Sequence, residues 1–223
     1  MNIDMNTVRL LGAAQLTIFV AAIVTELLRR SVVGSGSISD IMMNISKNAT
    51  RMRISNLFAL VDSVGIVVLG ALFYVIFNQQ YEIIALVALG FFLVEAITLA
   101  VSKIGAFALI PLSQEFVEAG APETSYFQSL GDYLYHGVDR QGTRIHVLFF
   151  CLGGILWYYL LLISGSIPQA LSIWGLASVS LLLIPVLLEI YHRGFSHPVM
   201  AVGLLYLPFE LVLGVWLIVK GFS

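Results

Sequence analysis

IIALVALGFFLVEAITLAVSKIGAFALI, residues 83–110, decides the fold. A helix that crosses a bilayer needs about 20 apolar residues, and this stretch supplies them with some tilt to spare. Glu95 stands near its midpoint, and Thr98 and Ser102 follow at i+3 and i+7 on the same helical face. Lys103 is one position round from that stripe, nearer the helix end. A carboxylate facing lipid is costly, so Glu95 has to be protonated, paired or turned towards the protein interior.

The rest of the chain fits a membrane solvent. Its 223 residues are 59% hydrophobic and 11% charged, with a mean hydropathy of +0.97. A soluble domain needs far more charge on its surface. A net charge of −2 supplies no basic patch, so nucleic acid is not expected as a partner. The single cysteine, Cys151, sits in an apolar run, where it reads as a small core residue and forms no intrachain disulfide. The first apolar run has no basic leader beyond Arg9 and no small-x-small cleavage site, so it reads as a retained span.

Six spans are expected, at 10–28, 54–77, 83–110, 145–163, 168–190 and 198–219. The fold class is therefore an all-α integral membrane protein, a six-transmembrane helix bundle in one domain. Links at 78–82, 164–167 and 191–197 are short enough to force their flanking helices antiparallel. No repeat of fixed period is visible, and the two halves show no sequence echo of each other. Residues 31–53 carry Ile38, Ile41, Met42, Ile45 and Met52 at helical spacing, with Lys47, Arg51 and Arg53 interleaved. That pattern suggests an interfacial amphipathic helix, or else a linker helix packed on the bundle. Residues 112–143, with Glu115, Glu118, Glu123 and Asp132, then Tyr126, Phe127, Tyr133 and Tyr135, read as a polar and aromatic loop between spans three and four. It would cap the bundle as a lid or rest at headgroup level.

Lysine and arginine are unevenly shared. If 31–53 is cytoplasmic, that side holds Arg29, Arg30, Lys47, Arg51, Arg53, Arg140, Arg144 and Arg193, against Arg9 and Lys220 opposite. The positive-inside rule then puts both termini outside. The triplets beginning at Asn44 and Asn48 match glycosylation sequons, which a cytoplasmic loop would leave unused.

Chemistry has to reside in the polar groups inside the spans. Asp62, Glu95 and Glu210 are the deep acids, while Glu26, Glu189 and His192 lie nearer the interface. Lys103, His146, Tyr206 and nearby hydroxyls are the candidate partners. Carboxylates outnumber cations, so at least one deep acid is expected to be neutral, since burial and a second nearby acid both disfavour the charged form. Two readings follow. A protonated carboxyl group can knit helices by donating one hydrogen bond and accepting others. The same group can also act as a proton or cation relay, or as a polar anchor in an apolar cavity.

Other chemistries have little raw material. No HExxH, CxxC, GxSxG or phosphate loop occurs, so neither a metal site nor a cofactor is expected. Ser63 beside Asp62 and Ser196 beside His197 can be written down as nucleophile pairs, with His146 and His192 as further candidates for a hydrolase.

Arg9-Leu-Leu-Gly12 followed by Glu26-Leu-Leu-Arg29 resembles the opening of a bacterial six-helix membrane family known as domain of unknown function 4386. Leu148-Phe-Phe-Cys-Leu-Gly-Gly154, Ser164-Gly-Ser-Ile-Pro168 and Ala170-Leu171 resemble its fourth span and the turn into the fifth. Glu210-Leu211, Gly214 and Trp216-Leu-Ile-Val-Lys-Gly221 are similar to its last helix. The resemblance implies six spans in a prokaryotic cytoplasmic membrane with cytoplasmic termini, the reverse of the charge count, and it implies no catalytic residue. In this chain the basic residues have moved from the links after spans two and four into 31–53.

The leading expectation is a protein that binds or moves a small ligand, lipid or ion, with Glu95 and Glu210 as proton-accepting anchors and Asp62, Tyr206, His146 and Lys103 beside them. An accessory subunit of a membrane complex, packed on a partner protein or on a second copy, is the alternative. An intramembrane hydrolase is the third.

Overall fold

The structure, a computed structural model, describes residues 4–122, 126–192 and 196–222, the side chains of 196–202 excepted. Its elements are α1 (Met5–Val33), α2 (Ile38–Lys47), α3 (Ala49–Glu118), α4 (Tyr126–Asp132), a π-helical segment (Tyr133–Arg140), α5 (Gln141–Ser164), α6 (Gln169–Tyr191) and α7 (Ser196–Val219). Among the described residues every regular element is thus a helix. Four continuous runs, Met5–Val33, Ala49–Glu118, Tyr126–Ser164 and Gln169–Tyr191, are long and apolar enough to cross a membrane. The chain packs as two compact units: Met1–Phe19, Ser63–Ala96 and Arg144–Ser223 form the first, Val20–Asp62 and Ile97–Thr143 the second.

α3 contains the apolar stretch 83–110 with Glu95 near its middle. Drawn straight, its 70 residues would extend ~105 Å, more than twice the thickness of a bilayer. It breaks instead at Tyr81, whose φ of −136° and ψ of 43° are not helical. The break falls inside the short link expected at 78–82. Ser63 Oγ donates to the Ala96 carbonyl at 2.8 Å, and Gly70 lies against Leu89 and Phe92. Both pairs straddle the break symmetrically, so the two arms run antiparallel.

Further pairings complete the first unit. α1 lies against α7 through Gly12 and Gly214, with Met5 reaching Gly221 at the other end. Ile18 covers Gly65 on the first arm of α3. The second arm meets α5, where Phe92 covers Gly153 and the rings of Phe91 and Phe149 are 6.2 Å apart. The expected tight turn between α5 and α6 is present, with Gly165 at a φ of +63° and Pro168 as the residue preceding α6. Trp174 Nε1 donates to the Leu205 carbonyl at 3.1 Å, joining α6 to α7. Trp157 is fully buried, stacked on Phe73 at 4.9 Å and edge-on to Phe92 at 6.1 Å. Outward positions are apolar: Ile83 is 79% exposed and Leu204 66%, whereas Glu95 is 2% exposed. Water would favour the opposite arrangement; lipid favours this one.

In the second unit α2 is present as its spacing implies. The Ser37 hydroxyl accepts from the Asp40 amide, and the Asp40 carboxylate accepts from the Ser37 amide and hydroxyl, which together form a capping box. Ile41, Met42 and Ile45 are buried with Val33, Met52, Leu109, Ile110, Phe116 and Tyr135. The apolar face of α2 is therefore spent on protein rather than on lipid.

The loop expected at 112–143 is corrected. α3 runs on through Pro111 to Glu118, because Leu112 and Phe116 pack into the same core as α2. The chain turns at Gly120 and Ala121, which have φ of +83° and +50°, and is helical again from Tyr126. Gly131, Tyr135 and Asp139, spaced four apart, form its buried face. Gly131 on that face packs on Met42, and Leu134 and Val138 beside it pack on Gly105. Glu123, Arg193 and the turn around 193–195 lie outside the described residues.

Two outcomes check this packing. Gly12→Ala would put a Cβ 2.8 Å from the Gly214 carbonyl oxygen, a backbone atom that cannot swing aside. It should lower stability by about 1–3 kcal/mol, read as a lower unfolding midpoint in detergent. Ser37→Ala should cost about 1 kcal/mol and speed amide exchange in α2. The hydrogen bonds from Ser37 hold the Asp40 carboxyl below its usual range. Its contribution is complete above the unfolded carboxylate value of about 4 and is lost as pH falls through the lower folded value.

Candidate functional site

Glu210 and Tyr206 lie four apart on α7, so their side chains share a face. Tyr206 Oη donates to Glu210 Oε1 at 3.1 Å. Gln15 Nε2, from α1, donates to the same oxygen at 2.9 Å. Tyr158 of α5 meets the Tyr206 hydroxyl at 2.5 Å. Since Tyr206 spends its proton on Glu210, Tyr158 is the donor in that contact. The result is an oriented chain, Tyr158 to Tyr206 to Glu210, with Gln15 closing it from α1.

Glu95 approaches from the second arm of α3. His146 Nδ1, on α5, is 3.8 Å from Glu95 Oε1. That is too long for a direct hydrogen bond but close enough for an ion pair or for one bridging water. Glu95 and Glu210 both line one cavity of about 20 Å³, together with Gln15, Tyr158, Tyr206, Phe73 and Phe150 among others. A cavity of 10–15 Å³ or slightly more holds about one water, whereas organic ligands occupy roughly 300–1,000 Å³. The space therefore suits a water, a proton or a small ion, and as it stands it does not admit a lipid chain.

The expected site is brought together in part. Glu95, Glu210, Tyr206 and His146 converge in the first unit. Asp62 and Lys103 belong to the second unit, and Asp62 is not among the residues lining the cavity. Lys103 Nζ is 2.5 Å from Asp139 Oδ1, an acid outside the expected set. Asp139 was hidden because its stretch read as a loop. Gln15 and Tyr158 also went unassigned, although an amide inside an apolar run was the available signal for Gln15.

Other polar groups have structural partners. Arg144 Nε pairs with Glu189 Oε1 at 2.8 Å, so Glu189 is buried and paired. Glu26 holds Arg29 and Arg30 on its own helix. The Ser63 hydroxyl is committed to the Ala96 carbonyl, which removes the neighbour of Asp62 as a ready nucleophile. The side chains of Ser196 and His197 lie outside the described residues. Among the described residues no three His, Cys, Asp or Glu side chains converge as a metal site would require.

Tyr206→Phe should break the chain at its middle. Leaving Glu210 and Tyr158 each short of a partner in a buried site should cost about 1–3 kcal/mol, measured as a lower unfolding midpoint. Gln15→Leu should lower it separately, by removing the α1 donor.

Comparison with known families matches residues 10–221 to the one described as Domain of unknown function (DUF4386). No curated protein and no solved structure matches the chain.

Proposed function

The chain belongs to the family of domain of unknown function 4386, and from that premise we propose that it is a multi-pass membrane protein whose interior cavity binds a proton at Glu95 and Glu210. α1, the two arms of α3, α5, α6 and α7 are read as six crossings of a prokaryotic cytoplasmic membrane. The contacts from α1 through α3, α5, α6 and α7 back to α1 support that reading, because they close on themselves around the two acids.

One observation carries the function: two carboxyl groups from distant parts of the chain share a cavity of about 20 Å³, sized for a single water. Among the substrates expected from sequence, this favours a proton or small cation over an organic ligand or lipid. The hydroxyls of Tyr158 and Tyr206 offer a hydrogen-bonded path to Glu210, and the His146 ring stands 3.8 Å from Glu95. Either carboxylate can accept the proton, the other remaining as the nearby negative charge that favours its binding.

The same small cavity also supports an accessory-subunit reading, in which these bonds only knit α1 to α7. Glu95→Gln separates the two. Its neutral amide keeps the size of the carboxyl group and removes the proton site. In reconstituted vesicles the variant should fold as wild type and lose pH-dependent proton uptake or flux. Unchanged uptake in a folded variant would exclude Glu95 as the acceptor and leave the knitting role.

A further inference from the structure

The second unit holds a separate group of buried charges that the cavity does not use. Lys103 is 5% exposed and Asp139 is 1% exposed, and their ion pair joins α3 to the π-helical segment. Asp62, on the first arm of α3, is 7% exposed. Its Oδ1 is buried with no hydrogen-bond partner, and the charge of Lys103 acts on it. The ammonium group paired with Asp139 thus lies within electrostatic reach of a second buried carboxyl group.

A single lysine cannot neutralise both. An uncompensated buried carboxylate is strongly unfavourable, and a proton is the smallest species that removes it. A divalent ion would need more ligands than converge among the described residues. We propose that Asp62 is a second proton site, at which the bound proton and the Lys103 ammonium group compete while Asp139 holds the lysine in reserve. When the proton leaves, the O–H bond breaks, the electron pair stays on the Asp62 carboxylate, and Lys103 swings from Asp139 towards it without losing its own charge.

The surroundings make the lysine the moving part. Asp139 sits in a π-helical turn, a widened geometry frequent at functional sites. That turn is seated tightly, since a Cβ on Gly105 would stand 2.8 Å from Val138, and one on Gly142 2.6 Å from Ser102. Thr143 Oγ1 also bonds the Asp139 carbonyl at 2.8 Å. From α1, Arg29 is fixed on Glu26 through two hydrogen bonds, and its charge reaches Asp139 and Tyr135. Asp139 therefore keeps a cationic neighbour when Lys103 departs. Arg30 is turned to Glu26 as well.

Infrared difference spectra of the protein in lipid nanodiscs, recorded as pH is raised, read the carboxylic-acid C=O band directly. Wild type should show a band that disappears on alkalinisation, and Asp62→Asn should lack it. Asp139→Asn frees Lys103 for Asp62 and should move the loss of that band at least one unit lower in pH. Lys103→Met should move it higher. A D62N spectrum in which every carboxylic-acid band of wild type persists, those abolished by Glu95→Gln or Glu210→Gln set aside, or a titration unmoved in D139N, overturns the proposal. Because Asp62 Oδ1 makes no hydrogen bond, D62N removes none through that atom. Its spectrum therefore decides the matter even where the D139N or K103M chain fails to fold. Glu95→Gln and Glu210→Gln, made in parallel, leave the Asp62 band in place, so failure here is distinct from failure of the cavity site.

Discussion

A carboxyl group surrounded by hydrocarbon has no water to bond, so its partners have to come from the chain itself. That constraint accounts for the long-range polar contacts of this protein. Glu210 is met by Gln15 across 195 positions of sequence, Glu189 by Arg144 across 45, and Asp139 by Lys103 across 36. Each contact fastens together two segments whose outer surfaces are apolar. None would be strong between exposed groups in water, where such pairs contribute about 0–1 kcal/mol. Inside lipid the alternative is a stranded charge, and the same contacts become obligatory.

Close helix approach makes those contacts geometrically possible. Gly12 and Gly214 let α1 and α7 come near enough for the short Gln15 side chain to touch Glu210. Gly153 admits Phe92 near the level where Glu95 faces His146. Gly105 and Gly142 seat the π-helical segment that carries Asp139. Small residues of this kind serve membrane helices by letting backbones approach, where no hydrophobic force drives helices together in lipid. Sequence, packing and chemistry are linked here through the same few positions.

Much of the fold was legible in the sequence because lipid imposes simple rules. Apolar length marked the helices, and the polar link at 78–82 marked the break observed at Tyr81. The spacing of Ile41, Met42 and Ile45 marked α2, and of the two readings it left open the apolar face is packed on protein. What misled was polarity. Residues 112–143 looked like a loop because they carry charge, yet Tyr135 and Asp139 are buried. A widened helical turn also blurs the 3.6-residue period on which such a reading depends. Of the site, Glu95, Glu210, Tyr206 and His146 could be found as ionisable or hydroxyl groups in apolar runs. Pairing could not be found in the same way. Nothing in sequence spacing ties Lys103 to Asp139 rather than to Asp62, or singles out Tyr158 from the other aromatics of α5.

Everything proposed for the interior rests on Glu95 and Glu210 lining one space sized for a single water. A density map of the protein in lipid, sharp enough to show ordered solvent, tests it most directly. One solvent peak is expected between the two carboxyl groups, within hydrogen-bond reach of Tyr206 or His146, and no acyl chain beside either. Carboxyl groups opening onto lipid, or a phenylalanine ring filling the gap between them, would contradict it.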